Sequence, residues 1–267
     1  MQQVLFTTPA LLVALAAAAP AIQERATNKK GLAYNNADQV APLAGASSWG
    51  YDWSPSPKPI PHSQLELVPM CHAAGCSAVH SSSSSHVLMY NEPDETAANG
   101  GSNMSPAAAW AAWQRDAAPL RSARHQLVCP AVTSWDTPAG HTGGPAGFAW
   151  LAGFVGAAGG PAGLGCAAQA LHWYGVAGQT GAAQGALFTA YVRAAHARVD
   201  ALFGTADFPL WFTEISPLPV RDAQVMSDFL AVVVPFLDGL DYVARYSPFM
   251  AEYMVGNAAG ATFAGKH

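Results

Sequence analysis

Short apolar segments bounded by turn-forming residues recur along this chain, and from the middle onward they alternate with helical patterns. Near-continuous apolar segments that alternate with helices are typical of parallel strands covered on their outer face. The pattern predicts eight strands, at residues 31–36, 47–54, 65–70, 86–94, 126–134, 166–175, 209–216 and 242–250.

Helical patterns lie between the later strands. Ser105 and Pro106 form a start signal, with serine as the N-cap and proline at the first helical position, for a helix that runs to about residue 124. Further helices are predicted at 148–158, 184–203 and 221–237. This order predicts an α/β fold, a (β/α)8 TIM barrel, as a single domain over residues 31–267. The connections after the first two strands are too short for full helices, so we expect an irregular start; an open doubly wound sheet is the alternative.

The composition narrows the class of protein. Of the 267 residues, 51% are hydrophobic and only 11% are charged, and the net charge is −5. A globular protein usually has about 25% charged residues. These values exclude a disordered tail, a coiled coil and a nucleic-acid-binding protein that depends on positive charge. We therefore expect a weakly charged globular monomer without a nucleic-acid partner.

The first residues are typical of a secretory leader. Residues 10–19 read ALLVALAAAA, an apolar run too short to span a bilayer, and a small-x-small cleavage pattern follows at 19–21. A buried Ala-rich helix is the alternative. No later apolar run is long enough for a transmembrane helix. We expect a signal peptide over residues 1–21 and a mature protein that is secreted, in the extracellular space or the cell wall, without membrane attachment.

Residues 22–30 are polar and end in Lys29 and Lys30. A dibasic pair at this place indicates processing of a pro-segment, and an ordinary solvated linker is the alternative.

Four cysteines are too few for a disulfide scaffold of this size. Cys71 and Cys76 are close enough for a local bridge, whereas Cys129 and Cys166 are expected on neighbouring strands. The sequence leaves all three pairings open, and free buried thiols are the alternative.

Several catalytic signatures are absent from the sequence, among them GxSxG, GxxxxGK[ST], HExxH and CxxC. The stretch GGPAGLG at 159–165 precedes a strand, where a dinucleotide fingerprint must follow one, so it is predicted to be a loop. The serine run at 81–85 is predicted to be another loop. His62, His72, His80 and His86 have no ligand-like spacing, so we expect neither a metal nor a cofactor.

Two carboxylates end strongly apolar strands. VLMYNEPD places Glu92 at the end of the fourth predicted strand, and LWFTEIS places Glu214 at the end of the seventh. In a parallel barrel all carboxyl ends of the strands open on one face, which is where such enzymes place their sites. A pair of glutamates there matches the requirements of glycosidic-bond cleavage, although either one alone is equally well explained as a salt-bridged rim residue.

Aromatic side chains follow the same strands. Trp49, Tyr51 and Trp53 alternate and therefore share a face, as do His172 and Tyr174, with Trp173 opposite them. Aromatic faces stack on the apolar surfaces of sugar rings, so we place the aromatic residues of these strands at a cleft. Packing in the core is the alternative, and it is the preferred interpretation for the helical tryptophans Trp110, Trp113 and Trp150.

Together these motifs resemble glycoside hydrolase family 128, the alkali-sensitive-linkage-type glycosyl hydrolases. The resemblance extends from residue 31 to about residue 250, and it rests on the ordered motifs GLAYNN, SSWGYDWS, LELVPM, MYNEPDE, SNMSPAAAW, PAVTS, LHWYG, WFTEIS and ARYSPF.

The resemblance implies a retaining clan-A barrel that acts on β-1,3-glucans. It implies Glu92 as the acid/base, Glu214 as the nucleophile and Asn91 as a ligand of the sugar 2-hydroxyl. His172 and Tyr174 are then expected to surround the nucleophile.

The chain departs from the family pattern at two places. The eighth strand carries Tyr246 and Phe249 within YSPF where the family has a more aromatic segment, and these two are the remaining candidate sugar contacts. Cys71 and His72 replace the usual bulky residues after VPM.

The resulting hypothesis is a secreted, metal-independent, retaining hydrolase that cleaves β-1,3-glucan or laminari-oligosaccharides internally. A wall-associated β-glucan-binding protein on the same fold, with little or no turnover, is the alternative.

Overall fold

The computed structural model describes residues 28–79, 82–137 and 139–265. The expected leader at 1–21 and most of the segment at 22–30 lie outside the described residues.

In the described part of the chain, nine strands form two parallel sheets. The first sheet has the order β1-β2-β3, and the second runs in sequence order from β4 to β9. The bounds are β1 Gly31–Ala33, β2 Trp49–Tyr51, β3 Glu66–Leu67, β4 Met70–Cys71, β5 His86–Met89, β6 Gln126–Val132, β7 Ala168–Tyr174, β8 Leu210–Ser216 and β9 Val243–Pro248.

The predicted third strand at 65–70 is divided into β3 and β4. Pro69 lies at the break because it has no N–H to give to a neighbouring strand. Its carbonyl still accepts from the Leu88 N–H at 3.0 Å, and the Val68 N–H donates to the Gly50 carbonyl at 2.9 Å. Together β3 and β4 therefore fill one strand position between β2 and β5.

The two sheets also join at the other edge. Lys30 forms a parallel bridge with Tyr246 of β9, and the Tyr246 N–H donates to the Lys29 carbonyl at 3.0 Å. These bonds bring β1 beside β9 and give eight strand positions around a ring. The predicted (β/α)8 barrel is confirmed, and the open doubly wound sheet is wrong.

The helices are α1 Ala37–Val40, α2 Pro106–Ser122, α3 Phe148–Ala157, α4 Pro161–Leu164, α5 Gly181–Phe203, α6 Ala223–Asp238 and α7 Ala258–Ala264. Ser105 caps α2, because its Oγ accepts from the Ala108 N–H at 3.2 Å. The predicted loop at 159–165 contains the short helix α4.

The barrel is irregular at its start, as expected, and the irregularity extends further than expected. The third connection, at 72–85, carries no α-helix among its described residues and only the 3₁₀ turn Ser77–Val79. The predicted loop at 81–85 lies in this connection, and residues 82–85 are irregular before β5 begins.

Two apolar layers surround the strands. One fills the barrel interior and includes Trp49, Tyr51 and Trp211. The other lies between the strands and the helices, where Trp173 stacks on Phe229 of α6 with ring centroids 5.6 Å apart. Trp49 and Trp173 therefore do not lie in a cleft, which corrects the sequence-based placement. The helical tryptophans pack as predicted, with Trp113 and Trp150 buried and Trp110 half-buried against the same core.

The cysteines form two disulfides, Cys71–Cys76 and Cys129–Cys166. The first closes a short loop after β4, and the second ties β6 to the start of β7. All four cysteines are paired, so the alternative of free thiols is wrong.

Lys29 and Lys30 are part of the barrel. The Lys29 ammonium donates to the carbonyls of Leu237 and Asp238, each at 3.2 Å, and of Leu240 at 2.6 Å. The Lys30 ammonium donates to the Phe263 carbonyl at 2.9 Å. A cut after Lys30 would remove these contacts, so the folded structure argues against the processing site expected from the dibasic pair.

Within the described part of the chain, no helix combines the length and the apolar character needed to cross a membrane.

Lys29 provides a test of how the barrel is closed. Its ammonium binds the carbonyl end of α6, where the helix dipole favours a cation. We expect Lys29→Met to lower the free energy of unfolding by about 2–3 kcal/mol, since it removes charge-assisted hydrogen bonds and leaves buried carbonyls unpaired. Denaturant unfolding measures this. The matched control Lys58→Met, at an exposed position, should stay within about 0.5 kcal/mol; equal effects of the two would contradict the assignment.

Candidate active site

Two buried glutamates meet at the carboxyl ends of the strands. Glu92 follows β5 and is 8% exposed, and Glu214 lies in β8 and is 3% exposed. A carboxylate oxygen of each lies with a ring nitrogen of His172 in a group whose members are all within 4.8 Å of one another. The parallel order of strands β5 to β8 thus brings together the two carboxylates that the sequence singles out.

His172 of β7 links the two carboxylates. Its Nδ1 lies 2.8 Å from Oε1 of Glu92 and 3.5 Å from Oε2 of Glu214. Its Nε2 lies 3.0 Å from Oγ1 of Thr213. The ring is fully buried, and burial acts to lower its pKa, but the negative charges of Glu214 and Glu92 outweigh this and raise the pKa of His172.

Glu214 is held at both oxygens. The Trp53 indole N–H donates to Oε1 at 2.8 Å, and the Tyr174 hydroxyl donates to Oε2 at 2.5 Å. Two donors in this arrangement suit an ionised carboxylate, which only accepts hydrogen bonds. They also fix the direction in which the carboxylate faces the cleft.

Glu92 has a different environment. Burial raises the pKa of its carboxyl group, and the charges of Glu214 and Asp94 raise it further, against the opposing effect of His172. The protein therefore favours a protonated Glu92 more than water does.

The backbone at Glu92 is strained in a way that aims the side chain. Its φ is +37°, in the left-handed region that non-glycine residues rarely adopt. Hydrogen bonds hold this conformation on both sides, from the Glu92 N–H to the Ala131 carbonyl at 2.9 Å and from the Tyr90 N–H to the Cys71 carbonyl at 2.7 Å. The neighbouring strands β4 and β6 thus hold the residue in place.

Asp94 ties the same turn to the next loop. Its carboxylate accepts from the Thr133 hydroxyl at 2.7 Å and from the Gly147 N–H at 2.7 Å. The chain from 133 to 147 thereby starts and ends beside the segment that carries Glu92.

A register shift positions the strand that carries Glu214. Between β7 and β8 the pairing changes from Leu171 opposite Phe212 to His172 opposite Glu214. Such bulges redirect side chains next to functional sites. Tyr51 and Ser247 donate to the Thr213 carbonyl, at 2.8 and 2.5 Å, and support the shifted backbone.

Asn91 carries an unused acceptor. Its Nδ2 donates to the Gly100 carbonyl at 3.1 Å, whereas its buried Oδ1 has no hydrogen-bond partner among the residues that the structure describes. The residue lines the cleft beside Glu92, so this oxygen is available to a donor on a ligand.

The glutamates open into a cleft of about 470 Å³. Trp53, Tyr174 and Phe249 line its Glu214 side, with Phe249 edge-on to both other rings at centroid distances of 5.8 and 5.4 Å. The structure therefore brings together Glu92, Glu214, Asn91, His172, Trp53, Tyr174 and Phe249 of the residues predicted from the sequence.

Three predicted contacts lie elsewhere. Tyr246 is fully buried, and its hydroxyl donates to Asp238 of α6 at 2.8 Å, so it faces the helices. Trp49 lies deep in the barrel, and Trp173 faces away from His172 because neighbouring residues of a strand point to opposite faces.

Other lining residues were not predicted: Asn35, His72, Glu95, Asn99, Trp135 and Met250. They lie in connections after strands, where no periodicity marks a position as facing the cleft. Asn35 and Met250 fall at the ends of the predicted strands 31–36 and 242–250, and the other four follow predicted strand ends within five residues.

Glu92, His172 and Glu214 are close enough to share a cation. In this structure their atoms make hydrogen bonds to one another and to Trp53 and Tyr174. The arrangement suits the transfer of a proton at one carboxyl group and attack or charge stabilisation by the other.

Comparisons with known proteins identify the family. A family model described as the glycosyl hydrolase catalytic core matches residues 31–265. No curated protein sequence matched this chain.

Solved structures resemble the fold over nearly its whole length. One is a curdlan-specific exo-β-1,3-glucanase of family 128, subgroup III, from Blastomyces gilchristii in complex with glucose. It is 29% identical, covers 90% of this chain and 99% of its own, and gives a TM-score of 0.72. A subgroup II endo-β-1,3-glucanase from Sorangium cellulosum is 22% identical over 90% of this chain and 98% of its own, with a TM-score of 0.72. A subgroup I endo-β-1,3-glucanase from Amycolatopsis mediterranei in complex with laminaritriose is 24% identical over 90% and 98%, with a TM-score of 0.66.

The titration of His172 tests the electrostatics of the site. Because the charges of Glu214 and Glu92 raise its pKa, we expect Glu214→Gln and Glu92→Gln each to lower the pKa of His172. Imidazole ¹⁵N NMR across a pH series measures the change. The control is Glu95→Gln, a buried glutamate of the same cleft whose carboxylate pairs with His141 instead. A His172 pKa that stays unchanged in both site variants would show that the ring does not sense the carboxylates.

Proposed function

Because this chain belongs to the glycosyl hydrolase catalytic core family, and to glycoside hydrolase family 128, we propose that it hydrolyses β-1,3-glucan by a retaining mechanism, with Glu92 as acid/base and Glu214 as nucleophile. The observation that carries the proposal is the contrast between the two adjacent carboxyl groups. Burial raises the pKa of Glu92, whereas both oxygens of Glu214 accept hydrogen bonds. Environments that separate two carboxyl groups in this way assign an acid and a nucleophile.

In the first step, Glu92 gives its proton to the glycosidic oxygen as the bond from that oxygen to the anomeric carbon breaks. Glu214 attacks the anomeric carbon from the opposite face and forms a glycosyl ester. The carboxylates of retaining enzymes lie about 5–5.5 Å apart, against about 6.5–9.5 Å in inverting ones. One oxygen of Glu92 lies within 4.8 Å of one oxygen of Glu214, which is compatible with the shorter separation.

In the second step, the Glu92 carboxylate takes a proton from a water molecule, whose oxygen attacks the anomeric carbon. The ester bond to Glu214 breaks, and Glu92 is protonated again. His172 Nδ1 lies 2.8 Å from Oε1 of Glu92, close enough to offset the charge of Glu92 while that residue is ionised. Glu92 transfers the proton in both steps, and Glu214 is the nucleophile in the first step and the leaving group in the second, so the proposal includes no metal.

The substrate assignment rests on family membership and on the cleft. Trp53, Tyr174 and Phe249 present apolar ring surfaces beside the nucleophile, which suits stacking on a sugar ring. The structural relatives named above are β-1,3-glucanases, and the aromatic cleft is compatible with the same substrate. Asn91 has a free acceptor for a sugar hydroxyl.

We further propose internal cleavage. The cleft has lining residues on both sides of the carboxylate pair, with Asn35 and Met250 at one end and Asn99 and Trp135 at the other. Both a glycosyl part and a leaving part of a chain can therefore contact the protein. Product analysis on laminari-oligosaccharides labelled at the reducing end distinguishes internal cleavage from release of terminal glucose.

Substitution of the two glutamates tests their roles. With an aryl β-laminaribioside that has a dinitrophenolate leaving group, protonation of the leaving oxygen is unnecessary. We expect Glu92→Gln to lower kcat/KM on laminarin about 10²–10⁴-fold but to affect the aryl substrate much less. Glu214→Gln should abolish both activities, because no ester forms.

Steady-state kinetics and NMR of the first-formed anomer provide the measurements. A first product with inverted configuration, or equal losses on both substrates for Glu92→Gln, contradicts the assignment. Unchanged circular dichroism of both variants is the control for folding.

Secretion is also proposed. Two disulfides are typical of proteins that fold in an oxidising compartment, and residues 10–19 suit a leader. We expect the secreted protein to begin after residue 21, with Lys29 and Lys30 retained because they are built into the barrel. N-terminal sequencing of secreted material checks this; material that starts at Met1 contradicts it.

A further inference from the structure

Trp135 stands apart from the other aromatic residues of the cleft. It is 45% exposed, the largest value for any tryptophan in the described part of the chain, and it lines the cleft that contains the glutamates. A single exposed apolar side chain is ordinary on a protein surface. Trp135 differs because other side chains hold it in the cleft.

His141 supports the indole. The two ring centroids are 4.3 Å apart, with the rings inclined at 66°. The His141 Nδ1 lies 2.7 Å from Oε2 of Glu95, and the other carboxylate oxygen of Glu95 accepts from the Thr96 N–H at 2.6 Å and from Asn99 Nδ2 at 3.2 Å. Glu95 is itself buried, at 3% exposure. The indole is therefore held by a series of side chains that ends at a fixed carboxylate.

The connection that carries Trp135 is anchored independently. Asp136 accepts from the Ala149 N–H at 3.2 Å and pairs with Arg198 at 2.5 Å. Gly147 has a φ of +59°, and a Cβ there would approach the Trp135 carbonyl to 2.5 Å. Glycine at this position lets the end of the connection pass close to the tryptophan backbone.

The position of Trp135 relative to the two glutamates determines which part of a bound sugar chain it contacts. Glu95 is three residues after Glu92, so the Trp135 platform lies on the acid/base side of the pair. The aromatic residues Trp53, Tyr174 and Phe249 lie on the Glu214 side. In the proposed function, on which this inference rests, the nucleophile bonds to the glycosyl part and the acid protonates the oxygen of the leaving part. The leaving sugar therefore lies toward Trp135.

We propose that Trp135 is the stacking platform for the leaving-side sugar, and that His141 and Glu95 are positioning residues for it. When the glycosyl ester reacts with a second sugar instead of water, the same platform binds that sugar acceptor. The acceptor's 3-hydroxyl then attacks the anomeric carbon of the glycosyl ester, its proton passes to Glu92, and Glu214 leaves as a carboxylate. Such a site favours transglycosylation onto β-1,3-linked oligosaccharides over hydrolysis when acceptor is abundant.

Two substrates distinguish binding of the leaving-side sugar by Trp135 from a general effect of Trp135 on activity. Laminarihexaose places sugar units on both sides of the pair, whereas a dinitrophenyl β-laminaribioside has no leaving sugar. We expect Trp135→Ala to lower kcat/KM at least tenfold on laminarihexaose and to leave the value on the aryl substrate within twofold of the parent. Trp135→Phe should recover part of the loss, and His141→Ala should lie between parent and Trp135→Ala. The control Leu187→Ala removes another exposed apolar side chain, on α5, and should change neither value.

A trapped intermediate gives a second measurement. The enzyme is loaded with a 2-deoxy-2-fluoro laminaribioside that bears the dinitrophenolate leaving group, and recovery of activity is followed with and without added laminaribiose. In the parent, laminaribiose should accelerate recovery; in Trp135→Ala it should not, while recovery in buffer alone is unchanged.

The outcomes separate this inference from the proposed function. Equal losses on both substrates, or full acceleration by laminaribiose in Trp135→Ala, overturn the role of Trp135 and leave the glutamate assignment intact. A parent enzyme that hydrolyses neither substrate and forms no ester overturns the proposed function and this inference with it.

Discussion

The electrostatics of this site depend on the contact between His172 and two buried carboxylates. Two carboxylates in one low-dielectric pocket repel each other, and each also loses hydration. One ring nitrogen of His172 lies near both, at 2.8 Å from Glu92 and 3.5 Å from Glu214. The raised pKa of His172 and the raised pKa of Glu92 both follow from this contact and from burial. Removal of a carboxylate therefore changes the pKa of the histidine.

The barrel supplies the geometry for that contact. The three groups come from β7, β8 and the turn after β5, which are far apart in the sequence and lie within four consecutive strands of one parallel sheet. The bonds between β9 and the chain at Lys29 and Lys30 join the second edge of the two sheets. The parallel order of the strands therefore places the three groups at one end of the barrel.

The sequence was sufficient to predict the strand order, the four long helices and the meeting of Glu92 with Glu214, because each follows from apolar segments and their ends. The errors have physical causes. Trp173 and Tyr246 face the helices, and for Trp173 the inward face of the strand is already occupied by His172. Trp49 does face the barrel interior, but the sequence does not show its depth along the barrel. Pro69 divides a strand that a run of apolar residues predicts as one. Trp135 was missed because its orientation depends on His141 and Glu95, which are close only in the folded chain.

The two sides of the cleft are built differently, and this bears on how the protein selects a substrate. On the Glu214 side, Tyr174 belongs to β7, and Trp53 and Phe249 come directly after β2 and β9, so barrel closure fixes them. On the Glu92 side, Trp135 lies in a long connection between β6 and α3, which side-chain bonds to Asp94 and Asp136 hold at its ends. A change within that connection alters the leaving-side surface without moving the carboxylates. The geometry of the carboxylate pair is therefore determined by the strands and the turn after β5, whereas the surface of the cleft on the Glu92 side depends on one loop.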